Sequence, residues 1–145
     1  MFSYKRRVKY YETDRMGVVH HSNYLKIIEE ARLQWCNENI MDYKQLESRG
    51  CIIPAASASE NFLDYLRFDD PFRVEVELKE YKGIKMTFAY KIYNEDTEAL
   101  CYTGESSHFF AKENGNEQYL PSLSFRKDFP EEHKKLISLV KSRVK

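Results

Sequence analysis

Gly17-Val18-Val19-His20-His21-Ser22-Asn23-Tyr24-Leu25-Lys26-Ile27-Ile28-Glu29-Glu30-Ala31-Arg32-Leu33-Gln34-Trp35 passes from a glycine-containing loop into an amphipathic helix. Its apolar residues Tyr24, Ile27, Ile28, Ala31 and Trp35 recur at i, i+3, i+4, i+7 and i+11, which sets them on one face of a 3.6-residue period. Lys26, Glu29, Glu30 and Arg32 fall on the face left to water. The helix is expected to begin at Ser22 or Asn23, with Asn23 as its cap. Upstream, residues 3 to 10 mix basic and β-favouring side chains and predict a first strand, and Thr13 to His21 then forms a loop.

Downstream of the helix, Asp42 followed by Gln45 predicts a capping box on a short second helix, which Gly50 ends in a left-handed conformation. From Cys51 the period changes to two. Phe72, Val74, Val76 and Leu78 alternate with Arg73, Glu75, Glu77 and Lys79, and the alternation resumes at Ile84, Met86, Phe88, Tyr90 and Ile92 after a Lys82-Gly83 turn. These two segments are expected to pair as an antiparallel hairpin. Asn94 to Thr97 turns the chain again, a strand is expected from about Ala99 to Ala111, and Asn114-Gly115 is a further turn signal. Pro121 marks a break. Pro130 to Val144, with Leu136, Ile137, Val140 and Val144 apolar, predicts a C-terminal helix that starts on its proline. One long helix followed by several antiparallel strands requires an α+β architecture, the sheet curving around the apolar face of the helix.

At 145 residues the chain is expected to form one domain, 1–145. Its 23 basic and 23 acidic residues cancel, so no global field draws it to nucleic acid or to an anionic membrane. Cys36, Cys51 and Cys101 are odd in number and widely spaced, which suits buried thiols in a reducing compartment. No apolar leader and no run of about 20 apolar residues is present, so a soluble cytoplasmic protein is expected, with no membrane span.

The chemistry concentrates ahead of the helix. A helix N-terminus offers unpaired N–H groups and partial positive charge, which can hold a developing oxyanion while a nearby carboxylate acts as base or nucleophile. Asp14 is the candidate carboxylate, and a plain turn role would also suit it. Gly17 answers a backbone need, either a positive φ or close approach of a substrate. His20 and His21 diverge as neighbours and have no third ligand at a useful spacing, so no metal is expected. Ser57, Ser59, Ser106 and Ser107 with His108 lack the Gly-x-Ser-x-Gly turn of a serine hydrolase, and the small Ala55, Ala56 and Ala58 would admit a ligand or a facing protomer.

Tyr11-Glu12-Thr13-Asp14, Gly17 to Tyr24 and Glu30-Ala31-Arg32 together resemble the signature of the 4-hydroxybenzoyl-CoA thioesterase family, in particular its YbgC-like acyl-CoA thioesterase branch. Asn61-Phe62-Leu63-Asp64-Tyr65-Leu66-Arg67-Phe68-Asp69-Asp70 resembles the family's later strand and turn, with Leu66 where proline is common. The resemblance implies the hotdog fold, a long helix held by an antiparallel sheet, and hydrolysis of a thioester on coenzyme A or acyl carrier protein. It implies Asp14 as catalytic aspartate and His21 as the helix-start residue whose N–H polarises the carbonyl, the His21 side chain helping to orient substrate or water. Gly17, Val19 and Tyr24 then become candidates for contacting substrate. Coenzyme A would be part of the substrate, so no cofactor is expected. The active site would form between subunits of a homodimer or homotetramer, and Arg6, Arg7, Lys82, Lys85, Arg126 and Lys127 are candidates for the coenzyme's phosphates. A non-catalytic acyl-CoA or carrier-protein binding module is the alternative from another class. The Asp-x-Asn-x-x-His and His-Phe-Pro patterns of hydratases on this fold do not occur.

Overall fold

The structure, a computed structural model, describes residues 1–113, 119–122 and 124–141. Two compact units are distinguished, the first formed by Met1–Gln34, Ser59–Glu77 and Ala89–Glu105, the second by Trp35–Ala58, Leu78–Phe88 and Ser106–Lys145. The helix and the long strands contribute residues to both. In chain order the elements are β1 (Phe2–Arg7), α1 (Tyr24–Asn39), α2 (Tyr43–Ser48), β2 (Cys51–Ile52), β3 (Ala55–Phe62), β4 (Pro71–Tyr81), β5 (Lys85–Asn94), β6 (Leu100–Phe109), β7 (Ala111–Glu113), β8 (Tyr119–Pro121), α3 (Ser124–Asp128) and α4 (Pro130–Lys141). A five-stranded sheet runs β1-β4-β5-β6-β3, and a three-stranded sheet runs β2-β7-β8. This is the α+β, hotdog-type arrangement anticipated from the sequence.

In the first unit β1 lies antiparallel to β4, from Phe2 opposite Val76 to Arg7 opposite Pro71. Phe72, Val74 and Val76 are buried while the residues between them are partly exposed, as the period of two requires. Tyr24, Ile27, Ile28 and Ala31 of α1 are buried too, and the Tyr24 ring stacks on Tyr102 of β6 at 5.0 Å. In the second unit Trp35 meets Phe88 of β5 edge to face at 5.0 Å. Each large side chain buried on this face contributes roughly 1.5–3 kcal/mol. The turn between β4 and β5 has Gly83 at φ +89°, and Asn94 closes the next turn by accepting from the N–H groups of Asp96 (2.8 Å) and Thr97 (3.3 Å).

Several local expectations need correction. A 3₁₀ turn, His21–Asn23, precedes α1, so the α-helix proper starts at Tyr24. Glu30 and Arg32 are half-buried rather than wet, because Glu30 pairs with Arg6 and Arg32 reaches the Tyr90 hydroxyl at 3.3 Å. Asp42 caps α2 through the Lys44 N–H (3.0 Å), and Gly50 takes φ +84° as expected. The expected strand from Ala99 to Ala111 divides at Phe110, whose N–H goes to the Ile84 carbonyl and whose carbonyl takes the Ser122 N–H, both at 2.9 Å. The Phe110 ring then stacks on Phe125 of α3 at 3.7 Å. Helix α3 is unheralded, since five residues are too few to show a period. Pro130 opens α4 and Leu136 is buried beneath it, whereas Asn114, Gly115 and Val144 lie outside the described residues.

Candidate active site

All the site geometry lies in the first unit and grows from the loop ahead of α1. Thr13 and Val19 face each other across a tight reversal, closed by Asp14 N–H to the Val18 carbonyl and Gly17 N–H to the Asp14 carbonyl, both 2.9 Å. Gly17 stands at φ +79°, the left-handed conformation that the turn requires and that glycine takes without strain. The reversal points the Asp14 carboxylate back over its own chain, where Oδ1 accepts the Met16 N–H at 2.8 Å. Val19 N–H bonds the Leu66 carbonyl at 2.8 Å and Val18 bridges Arg67, which ties the loop to the segment between β3 and β4.

Beneath the loop, a buried ion-pair network fixes the start of the helix. The Arg6 guanidinium donates through Nη1 and Nη2 to both Glu12 oxygens at 2.7 Å, and through Nε and Nη2 to Glu30 at 2.8–3.2 Å. Glu12 also accepts the Lys9 N–H at 2.8 Å. Burial acts to push the Glu12 carboxyl up, but the Arg6 and Lys9 donors outweigh it and hold the group below the usual carboxylate range. Arg6 is therefore committed to two carboxylates, which removes it from the candidates for coenzyme phosphates.

The Glu12 carbonyl receives two further donors, the His20 N–H at 2.9 Å and Asn23 Nδ2 at 2.8 Å. Asn23 is thus not the helix cap but a strut to the loop. The cap is His20, whose Nδ1 accepts the Ser22 N–H at 3.2 Å and lies 2.8 Å from Ser22 Oγ. With Nδ1 accepting, the neutral ring carries its proton on Nε2. His21 follows as the first residue of the 3₁₀ turn, and its backbone N–H has no acceptor among the described residues.

Asp14, Val19, His21 and Tyr24 line a single open cavity of about 400 Å³, and Gly17 is not among its lining residues. Val18, Phe62, Leu63 and Tyr65 add apolar wall, with Met16 at the edge and a second carboxylate from Asp64. His21 sits edge-on to Phe62, with 6.3 Å between ring centroids, and Tyr24 packs on the same ring at 5.4 Å. Burial first, and then the neighbouring Cys101 and Asp64, push the Tyr24 phenol far up, so it stays a hydroxyl donor. Sequence reasoning treated the Asn61 to Asp70 stretch as support for the fold and missed Asp64 and Tyr65 as wall residues. No local spacing announces them, because they reach the cavity only through the pairing of Val18 and Val19 with Arg67 and Leu66.

Arg7, Lys82, Lys85, Arg126 and Lys127 do not line this cavity. Arg7 bonds the Asp69 carbonyl at 2.8 Å, and Lys82 pairs with Glu80. In the second unit Ser106 Oγ and His108 Nε2 lie 2.7 Å apart but both residues are buried, so the pair belongs to the packing. Cys36, Cys51 and Cys101 are free and buried, and burial raises the Cys51 thiol to about 12, which removes it as a thiolate nucleophile at neutral pH. Among the described residues no helix is long and apolar enough to cross a membrane.

A model of the thioesterase-like superfamily matches residues 8–136. Bacillus subtilis YneP is 32% identical over 126 residues, which cover 87% of this chain and 88% of that protein. The acyl-CoA thioesterase YbgC of Haemophilus influenzae is 30% identical over 92 residues, 63% of this chain and 68% of that one. Among solved structures, the DHNA-CoA thioesterase of Staphylococcus aureus superposes with a TM-score of 0.86 over 99% of this chain and 94% of its own at 24% identity, a likeness of fold.

Proposed function

The chain belongs to the thioesterase-like superfamily, and on that premise we propose that it is an enzyme hydrolysing the thioester of an acyl-coenzyme A to a free acid and the coenzyme thiol. The observation that carries the reading is the pairing of a carboxylate with an unclaimed backbone donor: Asp14 and His21 line one cavity, and the His21 N–H opens the turn that leads into α1. A thioester carbonyl directed at that N–H would have its developing oxyanion stabilised by a donor already in position. Asp14 then acts on the carbonyl carbon by one of two routes. Direct attack forms a mixed anhydride and expels the thiolate, after which water cleaves the anhydride. Alternatively Asp14 takes a proton from water, the hydroxide adds, and the tetrahedral intermediate collapses with loss of the thiolate. A single turnover in ¹⁸O-water tests the first route: label in the Asp14 carboxylate requires an anhydride opened by water at the Asp14 carbonyl, whereas label in the acid product alone fits the second route or opening at the acyl carbonyl.

Similarity to YbgC, which acts on acyl-CoA, supports coenzyme A over acyl carrier protein as the carrier. The His21 imidazole, exposed beside the cavity, is assigned to orienting substrate or water, and Val19 and Tyr24 to contact with the acyl group. The test is release of free thiol from short, medium, long and aromatic acyl-CoAs. Asp14→Asn keeps the shape and removes the charge, and it should lower turnover by at least about 100-fold with folding intact. Comparable turnover in the variant would overturn the assignment.

A further inference from the structure

Asp64 is the feature of the cavity that the reaction leaves unused. The loop after β3 holds it by backbone: the Leu63 and Asp64 N–H groups both bond the Cys101 carbonyl, at 2.9 and 3.2 Å. Its side chain is oriented as well, since Oδ1 accepts the Tyr65 N–H at 2.7 Å. Among the described residues of this chain the wall therefore carries two carboxylates, Asp14 and Asp64, and no lysine or arginine. Arg67 is not among the lining residues, and its guanidinium lies over the Tyr65 ring, 6.0 Å from the centroid. Beside Asp64 the buried Tyr24 offers a hydroxyl that meets no protein acceptor among the described residues, and the Asp64 charge contributes to keeping that hydroxyl protonated.

We infer that Asp64 is a specificity-determining residue of this site: its carboxylate favours acyl groups that offer a hydroxyl hydrogen and turns away acyl groups that end in a second carboxylate. The inference rests on the thioesterase reading and follows from charge and hydrogen bonding. An acyl chain that covers Asp64 strips water from a carboxylate oxygen, which is unfavourable unless the substrate returns a donor. A hydroxylated acyl group supplies one, and the Tyr24 hydroxyl can engage the same group. An acyl carboxylate instead adds a third negative charge to a cavity of about 400 Å³ whose wall, among the described residues of this chain, holds no lysine or arginine. At separations of several ångströms such repulsion amounts to a discrimination of about tenfold or more.

The experiment compares kcat/KM for butyryl-, 3-hydroxybutyryl- and succinyl-CoA in the wild type and in Asp64→Asn, with thermal melting to verify folding. In the wild type the order should be hydroxybutyryl, butyryl, succinyl, the last about tenfold or more below butyryl. In Asp64→Asn the ratio of butyryl to succinyl should fall to within about twofold. A ratio unchanged by the substitution, or a uniform loss on all three substrates with the ratio intact, would overturn the inference. Should the wild type hydrolyse neither these three nor any acyl-CoA of the short, medium, long and aromatic panel, the thioesterase reading fails instead. The same three acyl-CoAs titrated calorimetrically against the inert protein then read the selectivity as a ratio of dissociation constants, which Asp64→Asn must abolish for the inference to stand.

Discussion

At His21 the contributions of backbone and side chain can be separated by substitution. His20 is extended at φ −68°, ψ 139°, the conformation that a following proline demands, and His21 is the first residue of its turn, where proline's fixed φ fits and its missing N–H breaks no intrahelical bond. His21→Pro therefore removes the proposed oxyanion donor while the turn survives, and kcat should fall by about 10²–10³. His21→Ala retains the N–H and should cost far less. Equal losses in the two variants, measured by thiol release, would transfer the role to the imidazole. The same residue scale explains why Asp14 stands out in the sequence as a candidate and Asp64 does not. Asp14 sits in a short reversal whose glycine and following histidines are local marks, whereas Asp64 becomes a wall residue only through hydrogen bonds between segments some fifty residues apart, such as Val19 to Leu66.

Among the elements, β1 and α1 are joined through Arg6, Glu12 and Glu30, and the position of the loop that carries Asp14 depends on that junction. The Glu12 side chain is only 5% exposed, so removing its charge leaves the largely buried Arg6 with Glu30 as its remaining carboxylate, beside the Arg7 carbonyl. Glu12→Gln should destabilise the fold by about 3 kcal/mol, seen as a melting temperature lower by roughly 10 °C. A shift under a few degrees would mean that Glu30 alone satisfies Arg6. Because the folded Glu12 titrates below its unfolded value of 4.5, its stabilisation is present above that pH and is lost as the pH falls through the folded value.

A second junction, in the other unit, responds at milder acidity. Tyr81 at the end of β4 lies 2.5 Å from His133 Nδ1 of α4; burial pushes the Tyr81 phenol up to about 12, and burial followed by the Arg126 charge lowers His133. Neutral His133 accepts the phenolic hydrogen. A histidine depressed below its unfolded value of 6.5 lends stability that is complete above that pH and declines as the pH drops toward the folded value. Melting between pH 7 and pH 5 should accordingly fall more steeply in the wild type than in His133→Gln, which has no group titrating there. Parallel curves would remove His133 from the account.

For the whole molecule, the exposed strand β3 directs attention to assembly. It closes one end of the five-stranded sheet, and seven of its eight residues, Glu60 excepted, are exposed, Ala55, Ala56 and Ala58 among them. A long unpaired edge of small residues is a template for another strand, and the expected state is a homodimer joined along β3, with the open cavity completed by the second copy. Ala56→Lys should shift the mass measured by light scattering toward the monomer. A wild type that is monomeric at micromolar concentration would refute the arrangement.

The sequence by itself determined the elements that carry their own periodicity or turn chemistry. Helix α1, the β4–β5 hairpin, the glycine turns at Gly17, Gly50 and Gly83 and the placement of Asp14 and His21 ahead of the helix all follow from neighbours a few residues apart. Tertiary structure decided what depends on partners distant in the chain. It withdrew Arg6 from ligand binding, made His20 rather than Asn23 the cap, split the last long strand at Phe110 and brought Asp64 into the wall of the cavity. The division has a physical cause. Hydrophobic period and backbone conformation are encoded within a turn or two of chain, while the pairing of charges and the lining of a cavity are settled only when separate segments are packed and compete for the same hydrogen bonds.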